Sequence, residues 1–308
     1  MKLGFLTACL RDVPFDELVA WAAGEGFDCI ELAAWPVDSE RDHVAGHLDV
    51  ARLDRDGAAR ARDVLAAHEI EISAMAYYDN NLHPDPSLRE EYQAHLRKVI
   101  DAAGLLGVPL VGTFVGAWPG KPAKIIRAAG ELFRELTVYA GDRGVRLMIE
   151  NCPMGNWVQW GLPGNYAYSP ELWDALFEEV PENLGMNFDP SHLYWLQIDY
   201  VRAAREYASK IYHVHAKDAE FVSKGRYRYG VLAEQLGDDP WHSGWWRYRM
   251  PGSGGVDWEA FIRTLKDAGY DGALSIEHED PEYEGSEGRV KDGLRLGRSH
   301  LEDVLLTS

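Results

Sequence analysis

Apolar residues fall along this chain in two alternating patterns. Short apolar runs bounded by turn residues read as buried strands. Longer stretches with apolar positions three and four apart read as helices that bury one face. Strands are predicted over 2–7, 28–32, 70–76, 110–114, 145–150, 184–188, 211–215 and 273–276. Helices are predicted over 14–24, 58–68, 88–106, 121–141, 170–180, 200–208, 256–268 and 285–306. The punctuation agrees with this division. Leu18, Val19, Trp21 and Ala22 share one helical face before Gly24 and Gly26, Gly107 stops the helix over 88–106, and Pro170 opens a helix at its favoured first turn. Eight strands alternating with helices make a (β/α)8 TIM barrel, here as a single domain over 1–308. A doubly wound sheet would place a glycine-rich phosphate turn after an early strand, and the chain has none.

Two stretches break the rhythm. Residues 37–56 are polar and read as irregular. Residues 219–255 are too long for an ordinary loop between a strand and its helix, which points to a functional role. This loop carries Tyr227, Tyr229, Trp241, Trp245, Trp246 and Tyr248 among Arg226, Arg228, Arg247 and Arg249. Such a set suits a sugar or aromatic ligand at the barrel mouth, and equally suits packing onto the loop itself or a neighbouring subunit.

Composition narrows the classes. Apolar residues make up 46% of 308, ample for one large core. Lys2 is followed by too short an apolar run, ending before Arg11 and Asp12, for a secretory leader. No run approaches the roughly 20 apolar residues of a membrane span. Cys9, Cys29 and Cys152 have no metal-type spacing and read as packed or free thiols in a reducing cytoplasm. A net charge of −19 argues against nucleic acid as a partner.

Four predicted strands end in a metal-ligand type: Glu150 before Asn151, Asp189 before Pro190, His215 before Ala216, and Glu277 before His278. Any one alone reads as a helix cap or a solvated loop charge. In one barrel, though, strand ends converge on a single face, so the set points to a shared site. Three carboxylates and an imidazole suit Mn²⁺, Mg²⁺, Co²⁺ or Zn²⁺ better than a thiolate-loving ion, and Mn²⁺ is the one expected here.

The runs Ile149-Glu150-Asn151-Cys152-Pro153, Asp189-Pro190-Ser191-His192, His213-Val214-His215-Ala216-Lys217-Asp218 and Ser275-Ile276-Glu277-His278-Glu279-Asp280, with the glycine-rich run from Pro251 to Trp258, resemble the sugar phosphate isomerase/epimerase family of xylose-isomerase-like TIM barrels. The resemblance implies Glu150, Asp189, His215 and Glu277 as metal ligands, with both Glu also moving protons and His192 binding substrate. Two positions depart from ketose 3-epimerases in that superfamily: Asn156 stands where a second Glu is expected, and Phe221 where an Arg is. Endonuclease IV, which shares the barrel, needs further His ligands, where this chain has Tyr77 and Phe114. The runs Asn151-Cys152-Pro153-Met154 and Asp189 to Leu193 are also similar to the branch that includes catalytic subunits of C-glycoside deglycosidases. There the same proton removal ends in loss of a leaving group. The resemblance further implies a homo-oligomer, with or without a small second subunit.

The chemistry expected is proton removal next to the carbonyl of a keto sugar, giving isomerisation or epimerisation through an enediolate. The alternatives are β-elimination from a 3-keto-glycoside and a non-catalytic sugar-binding barrel. Glu150 and Glu277 are candidate bases if each ligates through one oxygen, with His192 and His278 as alternatives. Lys217, two residues after His215, points the same way and holds a substrate oxygen or neutralises the carboxylates. Trp35, Tyr77 and Trp118 follow strand ends and are candidates to wall a sugar, or rim packing. Without a phosphate cradle, the expected partner is an unphosphorylated small sugar or glycoside.

Overall fold

The computed structural model describes residues 1–39, 44–154, 163–232 and 244–308. Asn156 and Trp241 lie outside the described residues. The chain runs β1 (Lys2–Phe5), α1 (Phe15–Gly24), β2 (Cys29–Ala33), α2 (Arg55–Ala67), β3 (Glu71–Ala76), α3 (Pro86–Leu106), β4 (Leu110–Thr113), α4 (Pro122–Gly141), β5 (Arg146–Glu150) and α5 (Pro170–Glu179). It continues through β6 (Leu184–Phe188), α6 (Pro190–Trp195), α7 (Tyr200–Glu206), β7 (Ile211–Ala216), β8 (Asp218–Phe221), α8 (Ser223–Tyr229), β9 (Trp246–Arg249), α9 (Trp258–Asp267), β10 (Ala273–Ile276) and α10 (Glu287–Thr307).

Eight parallel strands form one sheet in the order β1-β10-β7-β6-β5-β4-β3-β2. A parallel bridge from Leu6 to Glu31 brings β1 to β2, so the sheet nearly closes into the expected (β/α)8 barrel. Strands covered by helices outside and filled by side chains inside have no wet face, and β2 and β6 are buried at every position. Helices start where side chains satisfy their first amides: Asp54 accepts from Gly57, Asp85 from Ser87 and Asp257 from Ala260. These caps explain two early starts. The helix predicted from 58 begins at Arg55 because Asp54 caps it, and the one predicted from 88 begins at Pro86, just after Asp85.

The stretch 219–255 is not an unstructured loop over its described part. Asp218–Phe221 and Trp246–Arg249 pair antiparallel, a two-stranded flap set apart from the barrel sheet. The short α6 after β6 was not predicted either, and the flap packs on it. Trp195 stacks on Trp246 with centroids 4.3 Å apart, and Phe221 lies stacked between Tyr194 (4.8 Å) and Trp245 (5.6 Å). Two register shifts break the barrel's ladders, one between Ile30 and Glu31 and one between Met186 and Asn187.

Candidate metal centre

Glu150 is the last residue of β5, Asp189 caps α6 directly after β6, His215 is the last but one in β7, and Glu277 follows β10. Each offers one ligand atom, and these four atoms all lie within 4.8 Å of one another. His215 Nδ1 stands 3.2 Å from Glu150 Oε1 and 3.0 Å from Glu277 Oε2. The Asp189 carboxylate is divided between two tasks. Its Oδ1 accepts from the Ser191 amide at 2.7 Å and starts α6, while its buried Oδ2 has no hydrogen-bond partner. Asn151 holds the Asp189 backbone on both sides, accepting from its amide at 2.7 Å and donating to its carbonyl at 2.8 Å.

The donor set fits a divalent cation. Three carboxylates crowd one imidazole here, and Asp189 Oδ2 receives no hydrogen bond: His192 Nε2 lies 3.2 Å away, and its ion-pair partner Lys217 (3.4 Å) is shared with Glu277 and Glu279, so the negative charge gathered at this point is only partly offset. Oxygen-rich ligation with one imidazole is the chemistry of Mn²⁺, Mg²⁺, Co²⁺ or Zn²⁺. A second, overlapping triple of Glu150, Cys152 and His192 lies within the same reach.

The electrostatics follow from burial and crowding. Burial, reinforced by Glu277, raises the Glu150 carboxyl, and burial raises Asp189. Burial works against Glu277 too, but Lys217 and His215 outweigh it and hold that carboxyl well below the usual range. Burial pushes the His192 imidazole down to about 4, so it is neutral at pH 7. His215 shows the opposite balance. Burial disfavours its charge, yet Glu31 and Glu277 hold it well above the ordinary histidine range.

The remaining predicted residues divide by position. His192 joins the group: its Nε2 lies 3.2 Å from Glu150 Oε1, and its Nδ1 2.9 Å from the Tyr248 hydroxyl of the flap. Lys217 is buried and donates to Glu277 at 2.7 Å and Glu279 at 2.9 Å, with the Tyr248 ring 4.3 Å from its Nζ. Neutralisation of the carboxylates is thus its visible engagement. Trp35 donates to Asp79 Oδ2 at 3.0 Å and packs edge-on against Tyr77, which in turn packs on His95. Both are buried in the rim, whereas Trp118 is partly exposed. His278, the other candidate base, faces α10 rather than the four clustered residues. Its Nε2 lies 3.0 Å from where a Cβ on Gly293 of α10 would sit, its Nδ1 is 3.5 Å from Glu284, and neither nitrogen is hydrogen-bonded. Neighbours along an extended chain point to opposite sides, so Glu277 inward puts His278 outward.

One residue at the site was missed. Glu31, fully buried on β2, accepts from His215 Nε2 at 2.9 Å and from the Tyr78 hydroxyl at 2.7 Å. Burial would raise its carboxyl, but His215 and His213 outweigh that and bring it to about 2. The available signal was a lone acid inside an apolar strand with no wet face.

Residues 19–300 match the model of the xylose isomerase-like TIM barrel family, and the chain belongs to that family. The uncharacterized protein YfiH of Bacillus subtilis is 28% identical over 305 residues, 91% of this chain and 93% of its own length. An inosose dehydratase of Clostridium perfringens is 27% identical over 157 residues, 50% of this chain and 48% of its own. An IOLI protein with a bound zinc atom superposes with a TM-score of 0.71 at 20% identity, covering 99% of this chain and 98% of that one. A D-psicose 3-epimerase solved in the presence of D-fructose gives 0.68 at 17%, covering 99% of both chains. At these identities the two superpositions show the fold. Among the described residues no helix is long and apolar enough to cross a membrane.

Proposed function

We propose that this chain is a metal-dependent isomerase or epimerase that moves a proton at the carbon next to the carbonyl of a keto sugar. The observation that carries this is the convergence of Glu150, Asp189, His215 and Glu277 within 4.8 Å, with Asp189 Oδ2 accepting no hydrogen bond. These four residues would hold the ion, with Mn²⁺ favoured by the oxygen-rich set. When bound, a divalent ion supplies Lewis-acid stabilisation of negative charge developing on a substrate oxygen.

The side chains supply the proton chemistry. Glu277, kept ionised by Lys217, is the proposed proton acceptor, and Glu150, which meets the same His215 Nδ1, is the second proposed carrier. His192, neutral and in contact with both Glu150 and the Tyr248 hydroxyl, can pass a proton between them. The flap bearing Tyr248 and the partly exposed Trp118 would border the sugar. The proposed setting is a cytoplasmic homo-oligomer acting on an unphosphorylated small molecule.

The similarity to an inosose dehydratase favours a second reading, in which the same proton removal ends in loss of a leaving group. Incubation in deuterium oxide with Mn²⁺ and a panel of ketoses, inososes and 3-keto-glucosides tests both. Metal-dependent deuterium next to the carbonyl with an epimeric or isomeric product supports the first reading, and release of water or an aglycone the second. No exchange with any divalent metal on any of these compounds would leave a binding protein.

A further inference from the structure

We propose that Glu31 is the positioning residue of this centre: it fixes the His215 ring so that Nδ1 is aimed at the cation, and Tyr78 and Asn187 hold Glu31 in place. The role rests on the metal reading above and goes beyond its four ligands. His215 has two nitrogens facing opposite ways. Nδ1 looks into the ligand group, and Nε2 meets Glu31 Oε2 at 2.9 Å. A carboxylate accepting from Nε2–H fixes the tautomer that leaves the Nδ1 lone pair free, and it raises the basicity of that nitrogen.

The surroundings of Glu31 are built for this contact. The Tyr78 hydroxyl donates to Glu31 Oε1 at 2.7 Å and itself accepts from Asn187 Nδ2 at 2.6 Å. Asn187 Oδ1 accepts from His213 Nδ1 at 3.0 Å, and Ser73 Oγ lies 3.0 Å from His213 Nε2. This chain of polar groups crosses the barrel interior from β3 through β7 and β6 to β2. Gly112 on β4 makes room for it, since a Cβ there would lie 2.2 Å from the Tyr78 hydroxyl oxygen. Both register shifts of the barrel fall at members of the chain, Glu31 and Asn187. Such irregularities re-aim side chains beside functional sites. An apolar residue would fill the inside of β2 with no charge to bury, so what Glu31 holds accounts for its presence there.

The test is calorimetric titration of Mn²⁺ and of Zn²⁺ into metal-stripped full-length protein, wild type against Glu31→Ala, Glu31→Gln and Tyr78→Phe. Glu31→Ala should weaken metal binding by roughly 10- to 100-fold. Glu31→Gln keeps an acceptor oxygen and should lose less, and Tyr78→Phe less again. A second readout is the downfield imidazole N–H proton of His215 in the zinc-loaded protein, which should exchange slowly in wild type and rapidly in Glu31→Ala. If Glu31→Ala does not fold, Glu31→Gln and Tyr78→Phe decide. Wild-type affinity in folded Glu31 variants would overturn the positioning role while leaving the metal centre standing. A wild-type protein that binds no divalent ion would overturn both.

Discussion

On the proposed reading, Asp189 and Glu277 separate holding a cation from carrying a proton. Asn at 189 keeps an oxygen for the Ser191 amide, so α6 retains its start, and what is lost is the charge on the Oδ2 side with its ion pair to Lys217. Asp189→Asn should therefore lower metal affinity, with turnover partly restored by excess Mn²⁺. Gln at 277 still offers a coordinating oxygen but cannot accept a proton. Glu277→Gln should lose about 10²–10⁴-fold in turnover even at saturating metal. Measuring rate against metal concentration distinguishes the two. If Glu277→Gln recovers with metal while His192→Ala does not, the base is His192. Tyr248→Phe removes a single hydroxyl from His192 and should lower turnover by roughly fivefold, about 1 kcal/mol, with metal affinity unchanged. At this scale the four clustered residues were legible because each stands at a strand exit, where a polar side chain interrupts an apolar run. Glu31 escaped because it lies within Cys29–Ala33, where strand alternation alone does not say whether a carboxylate faces a helix or the barrel axis. His278 adjoins Glu277 in sequence yet faces α10, as neighbours along an extended chain point to opposite sides.

The flap formed by β8 and β9 is held to the site by charge as well as by stacked rings. Arg249 donates to Asp280 (3.0 Å), Glu220 (3.0 Å) and Glu282 (2.9 Å), and Arg247 reaches Glu282 at 3.1 Å. Between these arginines, Tyr248 turns toward His192. The loop after β10 that carries Glu277 and Glu279 is thereby tied to the strand that carries Tyr248. Among the described residues, truncating Arg249 leaves the buried Asp280 carboxylate with the Met250 and Glu282 amides. Removing one partner of a buried pair costs roughly 3–5 kcal/mol. If that cost is met by local opening, amides over 218–221 and 246–249 should exchange at least about a hundredfold faster in Arg249→Ala. Exchange in the barrel strands should stay unchanged. Mass spectrometry of hydrogen exchange reads this directly, and uniform acceleration across the barrel would mean the flap is not a separate cooperative unit. The alternation in both flap strands is present in the sequence, but the long interval between them hid the pairing, because no tight-turn signal joins them. The ion-pair partners Asp280 and Glu282 lie beyond the next helix, so Arg247 and Arg249 looked free for a ligand.

Over the whole molecule, the order of strands and helices was legible because a barrel buries its parallel strands on both faces, which writes each one as a continuous apolar run. Closure was expected from the count of eight, but the contact that makes it, the Leu6–Glu31 bridge, joins chain segments with no shared pattern. Stability at this scale should depend on pH through two histidines away from the metal centre. His95 lies against the Ala34 carbonyl at 2.8 Å, and His47 between the Val13 and Thr7 carbonyls at 3.1 Å each. Burial lowers both imidazoles below the ordinary range, outweighing the carbonyls that favour their charge. The folded chain therefore binds these protons less readily than the unfolded chain. The stability they contribute is present above the unfolded value of about 6.5 and is lost as pH falls below it, with a slope of at most about 1.4 kcal/mol per pH unit for each group. The net charge of −19 acts in the opposite sense, since protonating carboxylates relieves self-repulsion, and so does screening by salt. Urea unfolding at about pH 7.5 and about pH 5.5, in low and high NaCl, separates the two. Salt should stabilise the chain at the higher pH. A His47→Gln, His95→Gln double variant should keep more of its higher-pH stability at the lower pH than wild type does. An equal loss in both proteins would assign the acid sensitivity to the buried carboxylate and imidazole groups of the barrel interior instead.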